Sequence, residues 1–349
     1  DGAPDLFMMY LSQDQKIYNQ IFINENNTLE EDPTAIFPDI YNGTSSWGDY
    51  DNDGDPDLIM CGQNADESAS VTRFYQNEPT GRLIEDTNQD LIGLKAGSFR
   101  FADLDADGDR DLIMSGWNKI DDYVITRIYK NEPLGTYSLA PDTSQITDFG
   151  TAYGSIDAVD FDGDGDKDIL ISGANVVSSY ANDIYGLKGK IYENNGDFTF
   201  SLIKEIPGAR IMRFADVNRD SVPDLIVSGI SNVVDQESAF CRIYINNNIS
   251  NNPPTPPTSL NAFAVSTRSI FSWDYASDDI DEQVSLSYNM RIGTGTNRDS
   301  LLSSAIPTHN ENIGSLLIRE FDEIPHGTYY WSIQAIDATG NRSVWSQED

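Results

Sequence analysis

Four segments of this chain place oxygen ligands at alternating positions: Asp49-Tyr-Asp-Asn-Asp-Gly-Asp-Pro-Asp57, Asp103-Leu-Asp-Ala-Asp-Gly-Asp-Arg-Asp111, Asp160-Phe-Asp-Gly-Asp-Gly-Asp-Lys-Asp168 and Asp216-Val-Asn-Arg-Asp-Ser-Val-Pro-Asp224. Side-chain oxygens at positions 1, 3, 5 and 9 crowd negative charge into one turn. A hard cation relieves that crowding, and Ca²⁺ accepts the many flexible oxygen contacts such a loop offers. The Gly at position 6 suits the sharp bend of a loop that wraps an ion, where φ > 0 is needed. The competing reading is a metal-free Asx-turn held by its own side chains.

An EF-hand opens with the same pattern but closes with a bidentate Glu at position 12, between two helices. Here position 12 is Met60, Met114, Ile171 and Val227, each in an apolar run that ends near Gly62, Gly116, Gly173 or Gly229. Such runs read as buried strands, so each loop joins strand to strand.

The period sets the architecture. Asp53, Asp107, Asp164 and Asp220 follow one another at intervals of 54, 57 and 56 residues, and Asp1-Gly-Ala-Pro-Asp-Leu6 matches the second half of the motif one period earlier. Repeats of this length with several short strands each predict the blades of a β-propeller, an all-β fold. In one period four strands are predicted: Ser98 to Leu104, Asp111 to Ser115, Val124 to Asn131, and a weaker one near Tyr137 to Leu139. The third has an echo in every unit, at Gln20 to Asn24, Arg73 to Asn77, Arg127 to Asn131, Lys190 to Asn194 and Arg242 to Asn246. At least five four-stranded blades are therefore expected in part.

These loops, the Ile-Tyr-x-Asn strand and the Asn195-Gly-Asp-Phe-Thr-Phe200 that follows one copy resemble the FG-GAP or VCBS repeat family, the blades of the integrin α-subunit propeller and of many bacterial surface proteins. The resemblance covers about residues 1–249. It implies calcium between the first and second strands of a blade, held by side chains at positions 1, 3, 5 and 9 and a carbonyl at position 7. Carried over, the first three ligand sets are Asp49, Asp51, Asp53, Asp55 and Asp57; Asp103, Asp105, Asp107, Asp109 and Asp111; and Asp160, Asp162, Asp164, Asp166 and Asp168. The fourth set, Asp216, Asn218, Asp220, Val222 and Asp224, departs from the pattern with Asn at position 3 and Ser221 in place of Gly, which predicts weaker binding. A further ion at Asp1 and Asp5 depends on residues before the chain. The resemblance also implies a ring of seven blades, with about two preceding Asp1, so that this chain is expected to be part of a larger polypeptide.

Composition agrees. The net charge is −35, and because the acidic loops with Asp1 and Asp5 hold twenty acidic residues, the remainder is still at −15. Nucleic acid and anionic membrane are poor partners for that surface. Two cysteines exclude a disulfide framework, and both Cys61 and Cys241 are expected as buried free thiols. No apolar run is long enough to span a bilayer. Calcium loops of modest affinity favour the millimolar calcium outside cells.

Residues 250–258 contain Asn251-Asn-Pro-Pro-Thr-Pro-Pro-Thr258 and read as a stiff polyproline-like linker. Residues 259–349 then alternate like a β-sandwich along Ser269 to Trp273, Leu286 to Ile292, Leu316 to Ile318 and Thr328 to Asp337. This segment resembles a fibronectin type III module, with Trp273 and Tyr330 or its neighbour as core aromatics and Asp337-Ala-Thr-Gly-Asn341 as the last hairpin turn.

Catalysis finds little support. The two histidines, His309 and His326, fall in expected loops, and the carboxylates that could serve glycoside cleavage are taken as calcium ligands. The expectation is a non-enzymatic, calcium-stabilised extracellular or cell-surface protein, bacterial, binding a protein or carbohydrate partner. The alternatives are the non-catalytic part of a secreted polysaccharide-active enzyme, or a stalk segment of a surface filament. The loops after each second strand form the expected ligand face, with Trp117, Tyr123, Tyr180 and Tyr185 as loop aromatics that could anchor a partner.

Overall fold

The computed structural model describes residues 5–349 except 15, 26–27, 54, 79–81, 133–134, 142, 144–145, 147–148, 178–183, 234–235, 248–250, 267, 295–296, 303–313, 323 and 325. The protein is all-β in its long elements, built from consecutive antiparallel sheets. The first sheet holds β1 (Leu6–Leu11), β2 (Ile17–Glu25) and β3 (Thr28–Glu31). The second holds β4 (Ile40–Gly48), β5 (Asp57–Asn64), β6 (Ser70–Glu78) and β7 (Arg82–Asp86); the third β8 (Lys95–Ala102), β9 (Asp111–Asn118), β10 (Tyr123–Glu132) and β11 (Thr136–Leu139). The fourth holds β12 (Ala152–Val159), β13 (Asp168–Val177), β14 (Ile184–Asn194) and β15 (Phe200–Pro207); the fifth, three-stranded, β16 (Ala209–Ala215), β17 (Asp224–Val233) and β18 (Gln236–Tyr244). Within each sheet the strands pair in chain order.

The second strands of the second and third sheets, β5 and β9, are buried along nearly their whole length, because each lies between two neighbouring sheets. Phe74, Leu94, Leu112 and Tyr137 fill the layer between the second and third sheets, and Ile128, Ile156, Ile171 and Tyr192 the layer between the third and fourth. Met212, Phe214 and Val227 close the fourth against the fifth. First strands run side by side, β4 beside β8, β8 beside β12 and β12 beside β16.

One difference from the sequence-level strands has a local cause. The first strand of the third sheet begins at Lys95 rather than Ser98, because a bulge between Lys95 and Ser98 breaks the alternation that marks a strand. The equivalent bulge in β12 admits only glycine at one place, since a Cβ on Gly154 would lie 1.7 Å from the Ser172 carbonyl oxygen. Cys61 is buried, its thiol pushed up to about 12 by burial, but Cys241 is exposed, correcting the expectation of two buried thiols.

The echoed Asn of the third strand joins neighbouring sheets. Asn131 Nδ2 donates to the Tyr50 carbonyl at 2.7 Å, Asn194 Nδ2 to the Leu104 carbonyl at 2.8 Å, and Asn246 Nδ2 to the Phe161 carbonyl at 2.8 Å. Each acceptor is position 2 of the acidic loop one sheet earlier.

The C-terminal part forms two three-stranded sheets, β19 (Asn261–Val265), β20 (Arg268–Ser272) with β23 (Ile318–Asp322), and β21 (Ser287–Thr294) flanked by β22 (Asn297–Leu302) and β24 (Tyr329–Ile336). They share one core of Phe271, Trp273, Tyr288, Met290, Trp331 and Ile333. Trp331 rather than Tyr330 is the core aromatic of β24, being 2% exposed against 39%. The Pro-rich segment lies against this unit: Thr255 N–H donates to the Ser277 carbonyl at 2.8 Å, and Asn251 is buried. His326 lies between β23 and β24, whereas His309 is outside the described residues.

All four acidic loops touch the C-terminal unit. Arg319 Nη2 donates to Asp55 Oδ1 at 2.7 Å, Ser315 Oγ donates to the Gly108 carbonyl, Asp160 N–H donates to the Ala338 carbonyl at 3.1 Å, and Asn341 Nδ2 donates to the Ser221 carbonyl at 3.3 Å. A cleft of about 60 Å³ between Arg100, Arg110, Lys167 and Asp337 is roomy enough for water, which needs about 10–15 Å³.

Asn194→Ala removes both its inter-sheet bond and its bond to the Lys167 carbonyl at 3.2 Å, leaving the buried Leu104 carbonyl unpaired. The expected loss is about 1–3 kcal/mol in denaturant unfolding, against no measurable loss for the exposed Asn195→Ala.

Candidate metal centres

The second, third and fourth acidic loops wind around the carboxylate at position 1. Asp160 Oδ1 accepts the Gly163 N–H at 2.7 Å and the Asp164 N–H at 3.2 Å, while Oδ2 accepts the Gly165 N–H at 2.9 Å. Asp103 and Asp216 do the same for their own loops. This wrapping requires positive φ twice. Position 6 has it at Gly108 (92°), Gly165 (99°) and Ser221 (69°), and position 4 has it at Asn52 (57°), Ala106 (58°), Gly163 (83°) and Arg219 (66°). The second of these was not legible in the sequence, because the residues there share no type.

The carboxylate at position 9 closes the loop from below. Asp57 accepts the Tyr50 N–H at 3.0 Å and the Asn77 N–H at 2.8 Å, and Asp111, Asp168 and Asp224 repeat the pair of bonds with Leu104 and Asn131, Phe161 and Asn194, and Val217 and Asn246. Each is thus tied to loop position 2 and to the echoed Asn. Burial pushes Asp57 up to about 9 and Asp111 and Asp168 up to about 8, against the opposing pull of those N–H groups. Burial likewise raises Asp49 to about 7 and Asp103 and Asp162 to about 6.

Three loops gather carboxylate oxygens within 4.8 Å of one another: Asp49, Asp51 and Asp53; Asp103, Asp105 and Asp111; Asp160, Asp162 and Asp168. Like charges that close repel by about 3 kcal/mol per pair at an effective dielectric constant near 20. Three such pairs rival the whole stability of a domain, so protons or a cation must neutralise them. The residues fit a cation: Asp105 Oδ1 and Asp162 Oδ1 are buried and accept no hydrogen bond, which leaves a ligand atom at position 3 of two loops. Asp107 and Asp164 stay exposed, each accepting the N–H of position 7 at 3.0 Å, and lie outside their clusters. Among the described residues the fourth loop gathers no such cluster. Its Asp216 is exposed, and Asn218 and Asp220 bond to each other at 2.7 Å.

The variable residue of Ile-Tyr-x-Asn stands over position 3, which sequence reading missed. Gln76 Nε2 donates to Asp51 Oδ2, and Lys130 Nζ donates to Asp105 Oδ2 and, at 3.0 Å, to Asp107 Oδ2. Glu193 adds negative charge beside Asp162. The three loops therefore hold neutral, cationic and anionic neighbours in turn.

The aromatics expected in loops on the opposite side are placed differently. Trp117 is in β9, 6% exposed, with Lys95 Nζ 4.0 Å from its ring centroid, so it is a packed strand residue rather than a loop anchor. Tyr123 opens β10 and is 49% exposed, and Tyr185 belongs to β14. Tyr180 lies outside the described residues. The strands run further toward that side than the apolar runs suggested.

Residues 1–60, 49–114 and 103–171 each match the FG-GAP-like repeat. The chain thus contains three FG-GAP-like repeats. No curated protein matches it. Among solved structures, the chicken CNTN1 FN1-FN3 domains align with 87% of this chain and 96% of that one, at 9% identity and a TM-score of 0.26, too low to argue from.

Two outcomes follow. The raised carboxylates of the cation-free fold hold protons that the unfolded chain releases above about pH 4, so in chelator the melting temperature should fall as pH rises from about 5 to about 8. With millimolar calcium the fall should vanish, because the ion binds the ionised form; parallel pH dependences in the two conditions would refute this. Lys130→Gln, which gives the second loop the residue of the first, should tighten calcium binding there by roughly tenfold in calorimetric titration, equivalent to about 1.4 kcal/mol.

Proposed function

We propose that residues 1–249 are part of a calcium-stabilised β-propeller, that residues 259–349 are a fibronectin type III-like β-sandwich, and that the protein is a non-catalytic, extracellular or cell-surface adhesion module. The observation that carries this reading is the set of three carboxylate clusters, each built by the same loop in an FG-GAP-like repeat. Such repeats are compatible with extracellular and adhesive roles, and millimolar calcium outside cells suits loops of this kind. Among the described residues no helix is long and apolar enough to cross a membrane.

Asp51, Asp105 and Asp162 are the side chains that would complete the ions, beside Asp49 and Asp53, Asp103 and Asp111, and Asp160 and Asp168 respectively. Calcium would supply only charge and coordination. The chain's own part is to hold the oxygens together before the ion arrives, through the wrapped N–H groups of position 1 and the two N–H bonds of position 9.

The C-terminal unit occupies the acidic loops, so a protein or glycan partner is assigned to the other side, where Tyr123 and the 83%-exposed Ile120 stand together. The test has two parts. Calcium against chelator should raise the melting temperature of the full chain by about 2–4 °C per kcal/mol of added stability, the scale for a unit of 150–250 residues. Then Tyr123→Ala with Ile120→Ala should abolish binding to a glycan array or to cell surfaces while leaving the calcium shift intact. Binding that survives this pair and is lost on changes in the C-terminal unit would move the site there.

A further inference from the structure

Outside the repeats, one more group of oxygens converges. Asp278 and Asp281 in the loop between β20 and β21, and Asp337 just beyond β24, each offer a carboxylate oxygen within 4.8 Å of the others. Asp281 is 6% exposed and Asp337 4%. From the Pro-rich segment comes Asn251, 5% exposed, whose Nδ2 donates to Asp337 Oδ2 at 3.1 Å and so sets its amide against the cluster.

Donors and acceptors do not balance here. Asp337 Oδ1 accepts the Thr339 hydroxyl and the Asn341 N–H, both at 2.7 Å. Asp278 Oδ1 accepts the N–H groups of Ile280 and Asp281 at 2.9 and 3.0 Å, and Asp281 Oδ1 accepts the Ala338 N–H at 3.2 Å. The other oxygens, Asp278 Oδ2, Asp281 Oδ2 and the Asn251 amide Oδ1, are buried and accept nothing. Buried polar atoms without partners are rare and ask for a missing water or ion. Three of them beside three carboxylates ask for a cation, since each water brings two further lone pairs along with its donors.

We propose that Asn251, Asp278, Asp281 and Asp337 bind a calcium ion at the seam between the Pro-rich segment, the C-terminal unit and the third acidic loop. Four protein oxygens and two to four waters complete the six to eight ligands calcium takes. The position gives the ion a structural consequence. It joins the segment that leaves the repeats to the turn after β24, and that turn already touches the third loop through the Ala338 carbonyl and the Asp160 N–H. Bound calcium would therefore fix how the C-terminal unit sits on the repeats. Burial raises Asp281 and Asp337 to about 7 each, in keeping with oxygens that lack a counter-charge. The rival neutraliser is Lys167 of the third loop, whose charge acts on Asp281 in the opposite sense.

The deciding experiment is a crystal of the full chain grown with Mn²⁺ as a calcium stand-in. An anomalous peak among Asn251, Asp278, Asp281 and Asp337 supports the proposal whether or not peaks also appear in the repeat loops. Peaks in the repeat loops alone, no peak anywhere, or the Lys167 ammonium seated among the carboxylates would each overturn it. In solution, calcium titration of the full chain carrying Asp278→Asn and Asp281→Asn should show one equivalent fewer than wild type, and limited proteolysis within residues 250–258 should become insensitive to calcium. An unchanged stoichiometry in this folded variant overturns the proposal as well.

Discussion

A carboxylate buried at position 9 of each loop is the interaction on which the repeat depends. Its two oxygens accept one N–H from the loop and one from the third strand, so a single side chain fixes where the loop begins and how β6, β10, β14 and β18 align beside it. Asn131, Asn194 and Asn246, whose N–H groups are held this way, then each donate their amide to the loop one sheet earlier. Loop geometry and sheet stacking are consequently one network. A charge this buried costs several kcal/mol of solvation, and a nearby cation offsets that penalty while placing no demand on the apolar layers.

This coupling explains why the acidic segments vary so little while their neighbours vary freely. A change at position 9 would disturb the loop, the third strand and the joint to the next sheet together. A change in the residue between Tyr and Asn alters only the charge facing position 3. Gln76, Lys130 and Glu193 show that freedom, and they give three loops of nearly the same sequence different electrostatic surroundings.

Much of this was legible in the sequence, and the limits of legibility were physical. The loops, the sheet order and the echoed strand could be read because repetition averages out local ambiguity; one copy of Asp-x-Asp-x-Asp would have said far less. The first strand of the third sheet was read three residues short because its bulge hides the period of two. Trp117 was placed in a loop because the apolar run ends at Met114, yet the strand continues as Ser115-Gly-Trp-Asn118, paired with β10 throughout. Side chains there are buried by the next sheet, a contact between distant residues that no local pattern records. The Asp278, Asp281 and Asp337 group was invisible for the same reason, since Asp337 and Asn251 lie 86 residues apart.

The four loops are covered unequally, and the difference shows at position 1. Asp49 and Asp160 are buried and Asp103 partly so, under the C-terminal unit and the adjoining strands, whereas Asp216 at the last sheet is exposed. An exposed carboxylate keeps its hydration and has little to gain from an ion. A buried one has already lost that hydration, so the ion restores what folding removed. Coverage therefore separates the first three loops from the fourth in addition to its sequence, and the covering of the first three loops comes in part from residues of the C-terminal unit, among them Ser315, Arg319 and Ala338.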